Sequence, residues 1–108
     1  MNKDSCGSAG IIVGGELHSL KNFDLRYTGM VVEKNGDILA TGATGAVLGN
    51  PAQSVAWLVN KLAEAELALA EGDLVLAGAI TGAVQMAAGD ILTATFGGGL
   101  GAVSVRFV

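Results

Sequence analysis

The sequence predicts a β-rich α+β domain: a curved, mostly antiparallel sheet packed on one main helix at about residues 51–66. Three observations predict it. Residues 50–62 combine a helix start with helical spacing of apolar residues, and no other stretch does. Asn35-Gly36 stands between two apolar runs, the signal of a tight hairpin. Seventeen glycines divide most of the remaining chain into short apolar runs bounded by turns, which is the spacing of strands.

Taken in order, residues 11–13 (Ile-Ile-Val) read as a strand stopped by Gly14-Gly15. Residues 16–23 form a connecting loop. A second strand covers residues 25–32, with a bulge at Gly29. Residues 33–37 turn the chain, because Asn-Gly favours the positive φ angles of a two-residue hairpin. Residues 38–41 return antiparallel to the stretch near Met30 to Val32.

Residues 41–49 lead into the helix. Asn50 caps it by accepting an N–H of the first turn, and Pro51 occupies the first helical position, where its missing N–H costs nothing. Val55, Leu58, Val59 and Leu62 recur at spacings of three and four, on one face. The helix fades across residues 65–69 and ends before Gly72. Residues 74–77 form a buried strand, 78–83 a small-residue loop, 91–96 a strand, 97–99 a glycine turn, and 102–108 the last strand. Glu71-Gly72-Asp73-Leu74 and Ala88-Gly89-Asp90-Ile91 echo each other. Two tight turns feeding two strands explain the echo without an internal repeat.

The chain reads as a single domain over residues 1–108. No linker is visible, since its glycine-rich segments are too short. At 51% apolar residues it has the composition of a folded protein, but with few aromatics the core falls to Val, Leu, Ile and Ala. A net charge of −4 without a basic run argues against nucleic acid. One cysteine excludes an internal disulfide framework. There is no basic-then-apolar leader and no apolar run long enough for a membrane, so the cytoplasm is the expected location.

Candidate chemistry is sparse. His18 and Cys6 are each the sole residue of their type. His18 lies in a polar loop and reads as a surface residue; Cys6 reads as a small, partly buried thiol rather than a nucleophile. Glu64 and Glu66 are two apart on a helix and diverge. Asp37, Glu71, Asp73 and Asp90 sit at turns, where solvated or turn-capping roles are usual. No metal-ligand set emerges. The small residues 42–49 lack the Lys-Ser/Thr ending of a phosphate loop. Two readings of them stay open: backbone N–H groups for an anion near the helix start, or small residues that let a strand pass close to the helix. Residues 78–83 are similar. Their backbone and the Thr81 hydroxyl either meet a polar ligand or form a tight crossover.

The motifs also have a familiar order. Ser5-Cys6-Gly7, Ile12-Val13-Gly14-Gly15, Asp24-Leu25 and Val32-Glu33-Lys34-Asn35-Gly36 come first. Ala40-Thr41-Gly42-Ala43, Val47-Leu48-Gly49-Asn50-Pro51 and Val55-Ala56-Trp57-Leu58 follow. Gly72-Asp73, Gly89-Asp90, Leu100-Gly101 and Val103-Ser104-Val105-Arg106-Phe107 complete the series. Over nearly its whole length the chain resembles the C-terminal part of the 2-hydroxypenta-2,4-dienoate (2-keto-4-pentenoate) hydratase and 4-oxalocrotonate decarboxylase family, in the fumarylacetoacetate hydrolase-like superfamily.

The resemblance implies a partial β-roll and a lyase of aromatic meta-cleavage degradation that acts on 2-hydroxydienoates or other small 2-oxo acids. It implies Mg or Mn as the ion that holds the 2-oxo acid. Ser5-Cys6-Gly7 is more like the hydratase branch than the decarboxylase branch. In the family the metal-binding glutamates and the catalytic lysine lie upstream of the stretch matched here, so this chain alone is expected to hold no metal cofactor. Ser5 matches a serine near the substrate, and the Thr81 loop matches the pocket wall. Gln85 and Met86 depart from the family's usual Pro and Val, and Thr44 and Gly45 vary the segment before the helix.

A truncated roll leaves apolar surface and strand edges uncovered, which implies a homo-oligomer or a companion chain. Two functional classes follow: a hydratase-like or decarboxylase-like subunit completed by a partner's glutamates, and a non-enzymatic binding or assembly module.

Overall fold

A computed structural model describes residues 10–15 and 17–108. It contains strands β1 (Gly29–Lys34) and β2 (Asp37–Ala43), helix α1 (Pro51–Glu64), and strands β3 (Ile91–Phe96) and β4 (Gly101–Arg106). The four strands form one antiparallel sheet in the order β2-β1-β3-β4. The architecture is the β-rich α+β class expected from the sequence.

β1 and β2 meet through the Asn35-Gly36 turn, where φ is 54° at Asn35 and 89° at Gly36. A register shift lies between Val32 and Glu33, three residues beyond the bulge expected at Gly29. β1 is central, and it supplies Met30 and Val32 to the small buried core, to which Val47 also belongs. β3 and β4 form the second hairpin around residues 97–99.

The helix begins as its sequence dictates: the Asn50 side chain accepts the Ala52 N–H at 3.0 Å, and Pro51 follows. It ends two residues earlier than residue 66. Glu66 takes a left-handed φ of 59°, Leu67 N–H donates to the Leu62 carbonyl at 2.8 Å, and Glu66 N–H donates to that of Ala63 at 3.1 Å. This pair of bonds closes the helix with a Schellman motif, with glutamate where glycine is usual. Val55, Leu58 and Leu62 are half-buried, but Val59 faces outward. Ser54 takes part in the inward stripe instead, donating to the Ala77 carbonyl at 3.0 Å.

Residues 77–81 connect helix to sheet. Ser54 holds Ala77, while a methyl at Gly42 of β2 would lie 2.5 Å from the Ile80 side chain. Glycine at 42 is what lets this segment lie on β2.

Three expected strand assignments need correction. Residues 11–13 and 74–77 form no ladder: neither run pairs with β2 or β4, the two edge strands of the sheet. Leu74 and Leu76 are 70% and 60% exposed. The strand expected over residues 25–32 begins only at Gly29. Before it, the Asp24 carboxylate accepts the Arg26 N–H at 3.1 Å and Tyr27 N–H donates to the Asp24 carbonyl at 3.2 Å, which makes a turn.

The two Gly-Asp echoes share one geometry. Asp73 and Asp90 each accept, through Oδ2, the N–H of the residue three earlier (Ala70 and Ala87) at 2.8 Å, with φ of 93° at Gly72 and 90° at Gly89. These are glycine-dependent turns closed by an aspartate, as the sequence suggested. Asp90 has a second task. Its Oδ1 accepts from Asn35 Nδ2 at 2.9 Å, and Lys34 Nζ stands 3.6 Å from Oδ2. Asn35 Oδ1 in turn accepts the Ile91 N–H at 2.9 Å, so the first hairpin is fastened to the start of β3.

The Asn35 hydrogen bond, then that from the Ala87 N–H, and the nearby Lys34 charge hold the Asp90 carboxyl below its ordinary range. A carboxylate with a depressed folded pKa stabilises the fold above its unfolded value, and that stability is lost as pH falls through the folded value. Asp90→Ala should therefore lower the thermal midpoint at neutral pH. The gap to the parent protein should close in acid, below about pH 4. A gap that stays constant across this range would contradict the assignment.

Candidate functional site

Three concave regions among the described residues bear on the site. The first is a cleft of about 520 Å³ between the loop after Gly10 and the β3–β4 hairpin, lined by Ile12, Gly14, His18, Phe96, Leu100 and Val103 among others. Ile12-Val13-Gly14-Gly15 is thus drawn to the β4 side of the sheet. His18 is exposed, as expected, and packs edge-on against Phe23 with ring centroids 4.9 Å apart. The second is an apolar groove of about 480 Å³ along α1, with Leu20, Leu25, Val55 and Val59 in its walls. The third is a shallow depression of about 350 Å³ beside β2, bordered by Lys34, Leu39, Gly82 and Gln85.

Thr81 lies over Gly42 of β2, next to this third region; a methyl at Gly42 would be 3.4 Å from the Thr81 methyl. Its hydroxyl donates to the Gly82 carbonyl at 3.3 Å. Strands β2 and β4 are the two edges of the sheet, so Thr81 and the His18 cleft stand at opposite edges. Ser5 and Cys6 lie outside the described residues. At Gln85 the main-chain carbonyl is what the structure engages, accepting from Lys34 Nζ at 3.2 Å.

The small-residue segment before the helix makes close approaches, but to residues 80–81 at Gly42 and to the 24–28 turn at Thr44 and Gly45, not between a strand and the helix. A methyl on Gly45 would lie 2.6 Å from the Arg26 carbonyl oxygen. Thr44 is buried. Its hydroxyl accepts the Thr28 N–H at 3.2 Å and has the carbonyls of Leu25 and Thr28 within reach of its one proton. Thr44 and Gly45 therefore knit the 24–28 turn to the segment that precedes the helix.

Among the described residues no three His, Cys, Asp or Glu side chains converge as metal ligands. Asp24 pairs with Arg26 at 3.2 Å and Glu64 with Lys61 at 3.5 Å, while Asp73 and Asp90 close turns. The Arg26 side-chain and backbone hydrogen bonds hold the Asp24 carboxyl below its ordinary range. Being solvent-exposed, this pair adds little to stability. The described residues do not fit an octahedral magnesium or manganese site.

The model of the fumarylacetoacetate hydrolase C-terminal domain matches residues 2–108. The chain belongs to the fumarylacetoacetate hydrolase family. Within that family it is 46% identical over 105 residues to a 4-oxalocrotonate decarboxylase of Pseudomonas putida, and 38% identical over 105 residues to a 2-oxo-hept-4-ene-1,7-dioate hydratase of Escherichia coli. Each match covers 97% of this chain and 39% of the relative, so the chain spans about two fifths of their length. Among solved structures it is similar to the 4-oxalocrotonate decarboxylase from Pseudomonas putida G7 complexed with magnesium and adipate. That match has a TM-score of 0.80 at 47% identity, and covers 88% of this chain and 36% of that one. The same decarboxylase has also been solved with calcium and acetate.

Proposed function

We propose that this chain forms part of the substrate enclosure of a metal-dependent lyase for small 2-oxo acids of aromatic meta-cleavage degradation. The observation that carries this reading is the match to the decarboxylase in both sequence and fold across most of the chain. The higher identity to that enzyme over nearly the whole chain favours decarboxylation over the hydration suggested by Ser5-Cys6-Gly7. Magnesium or manganese would hold the 2-oxo acid, on carboxylates that come from outside these 108 residues. In this reading Ser5 and Thr81 contact the acid; they do not touch the metal. The cytoplasm is the compartment that suits a lone thiol and a soluble 2-oxo acid.

The surface supports a polypeptide partner. Leu74, Leu76, Trp57, Ile38 and Val59 are all exposed, beside a core of only a few buried apolar residues among those described. Residues 74–77 are apolar on both faces, yet only one face meets the chain. Either a second copy or a companion chain would cover the other. Sedimentation of the purified chain at micromolar concentration should show a species heavier than the monomer if the partner is a copy; a compact monomer would exclude self-association and leave the companion.

A non-enzymatic binding module is the second reading, favoured by the engagement of Asp24, Glu64, Asp73 and Asp90 in structural contacts. Turnover separates the two. 4-Oxalocrotonate and 2-hydroxypentadienoate are offered with magnesium or manganese, first to the chain alone and then to the chain mixed with the part of the decarboxylase that it does not span. Activity in the mixture above that of either component supports the lyase; its absence supports the module.

A further inference from the structure

We draw no further inference here: the strongest candidate, the apolar groove along α1 walled by Leu20, Leu25, Val55 and Val59, is an unpartnered face, and nothing in the structure shows what covers it.

Discussion

Gly45→Ala is expected to destabilise the fold by about 1–3 kcal/mol, the range of an overpacked interior position. The added methyl would stand 2.6 Å from the Arg26 carbonyl oxygen, a main-chain atom that no rotamer change removes. The carbonyl cannot retreat freely. It lies in the turn that Asp24 closes through the Arg26 N–H, and the Thr44 hydroxyl engages Leu25 just before it and Thr28 two residues after it. A small domain has a total stability of only about 5–15 kcal/mol, so the loss is a sizeable fraction. Urea denaturation measures it. Gly29→Ala is the control, because nothing lies within 4 Å of a methyl at that position. Equal midpoints for Gly45→Ala and the parent would show that the close approach is not there.

Thr44→Val should cost a similar amount for a different reason. Valine keeps the shape but removes the hydroxyl, leaving the buried Thr28 N–H without that acceptor and the Leu25 carbonyl without that donor. An unsatisfied buried polar group costs about 1–3 kcal/mol. Thr81→Val removes a hydroxyl whose bond is to the adjacent Gly82 carbonyl, so its denaturation midpoint should hold within about 0.5 kcal/mol. If the two valine variants are equally stable, Thr44 is not the fastening that its contacts describe.

Features set by local chemistry were legible in the sequence. Asn35-Gly36 made its hairpin, Asn50-Pro51 its helix start, and the two Gly-Asp pairs their turns. What was not legible depended on something distant. A strand is a property of a pair, and the apolar runs at 11–13 and 74–77 pair with neither edge strand of the sheet. At residues 25–28 the Asp24 turn prevailed over an apolar pattern that suited a strand. On α1, Ser54 turned inward because the Ala77 carbonyl was there to accept its hydroxyl, while Val59 was left on the open groove.

The candidate site divides along the same line. Thr81 was singled out for its hydroxyl and lies over β2, at a sheet edge. Phe96 and Leu100, which line the largest cleft described above, had no polar signature to mark them. The family assignment came from the order of many modest motifs, which survives even where no single residue declares its chemistry.

In the proposed function, these 108 residues act only with carboxylates supplied from outside them. The most direct measurement is metal-dependent loss of 4-oxalocrotonate by the purified chain in the presence of magnesium or manganese. The expected rate equals the buffer blank for the chain alone, and exceeds that of either component once the complementary part of the decarboxylase is added. Turnover by the chain alone well above the blank, abolished by a chelator, would contradict it.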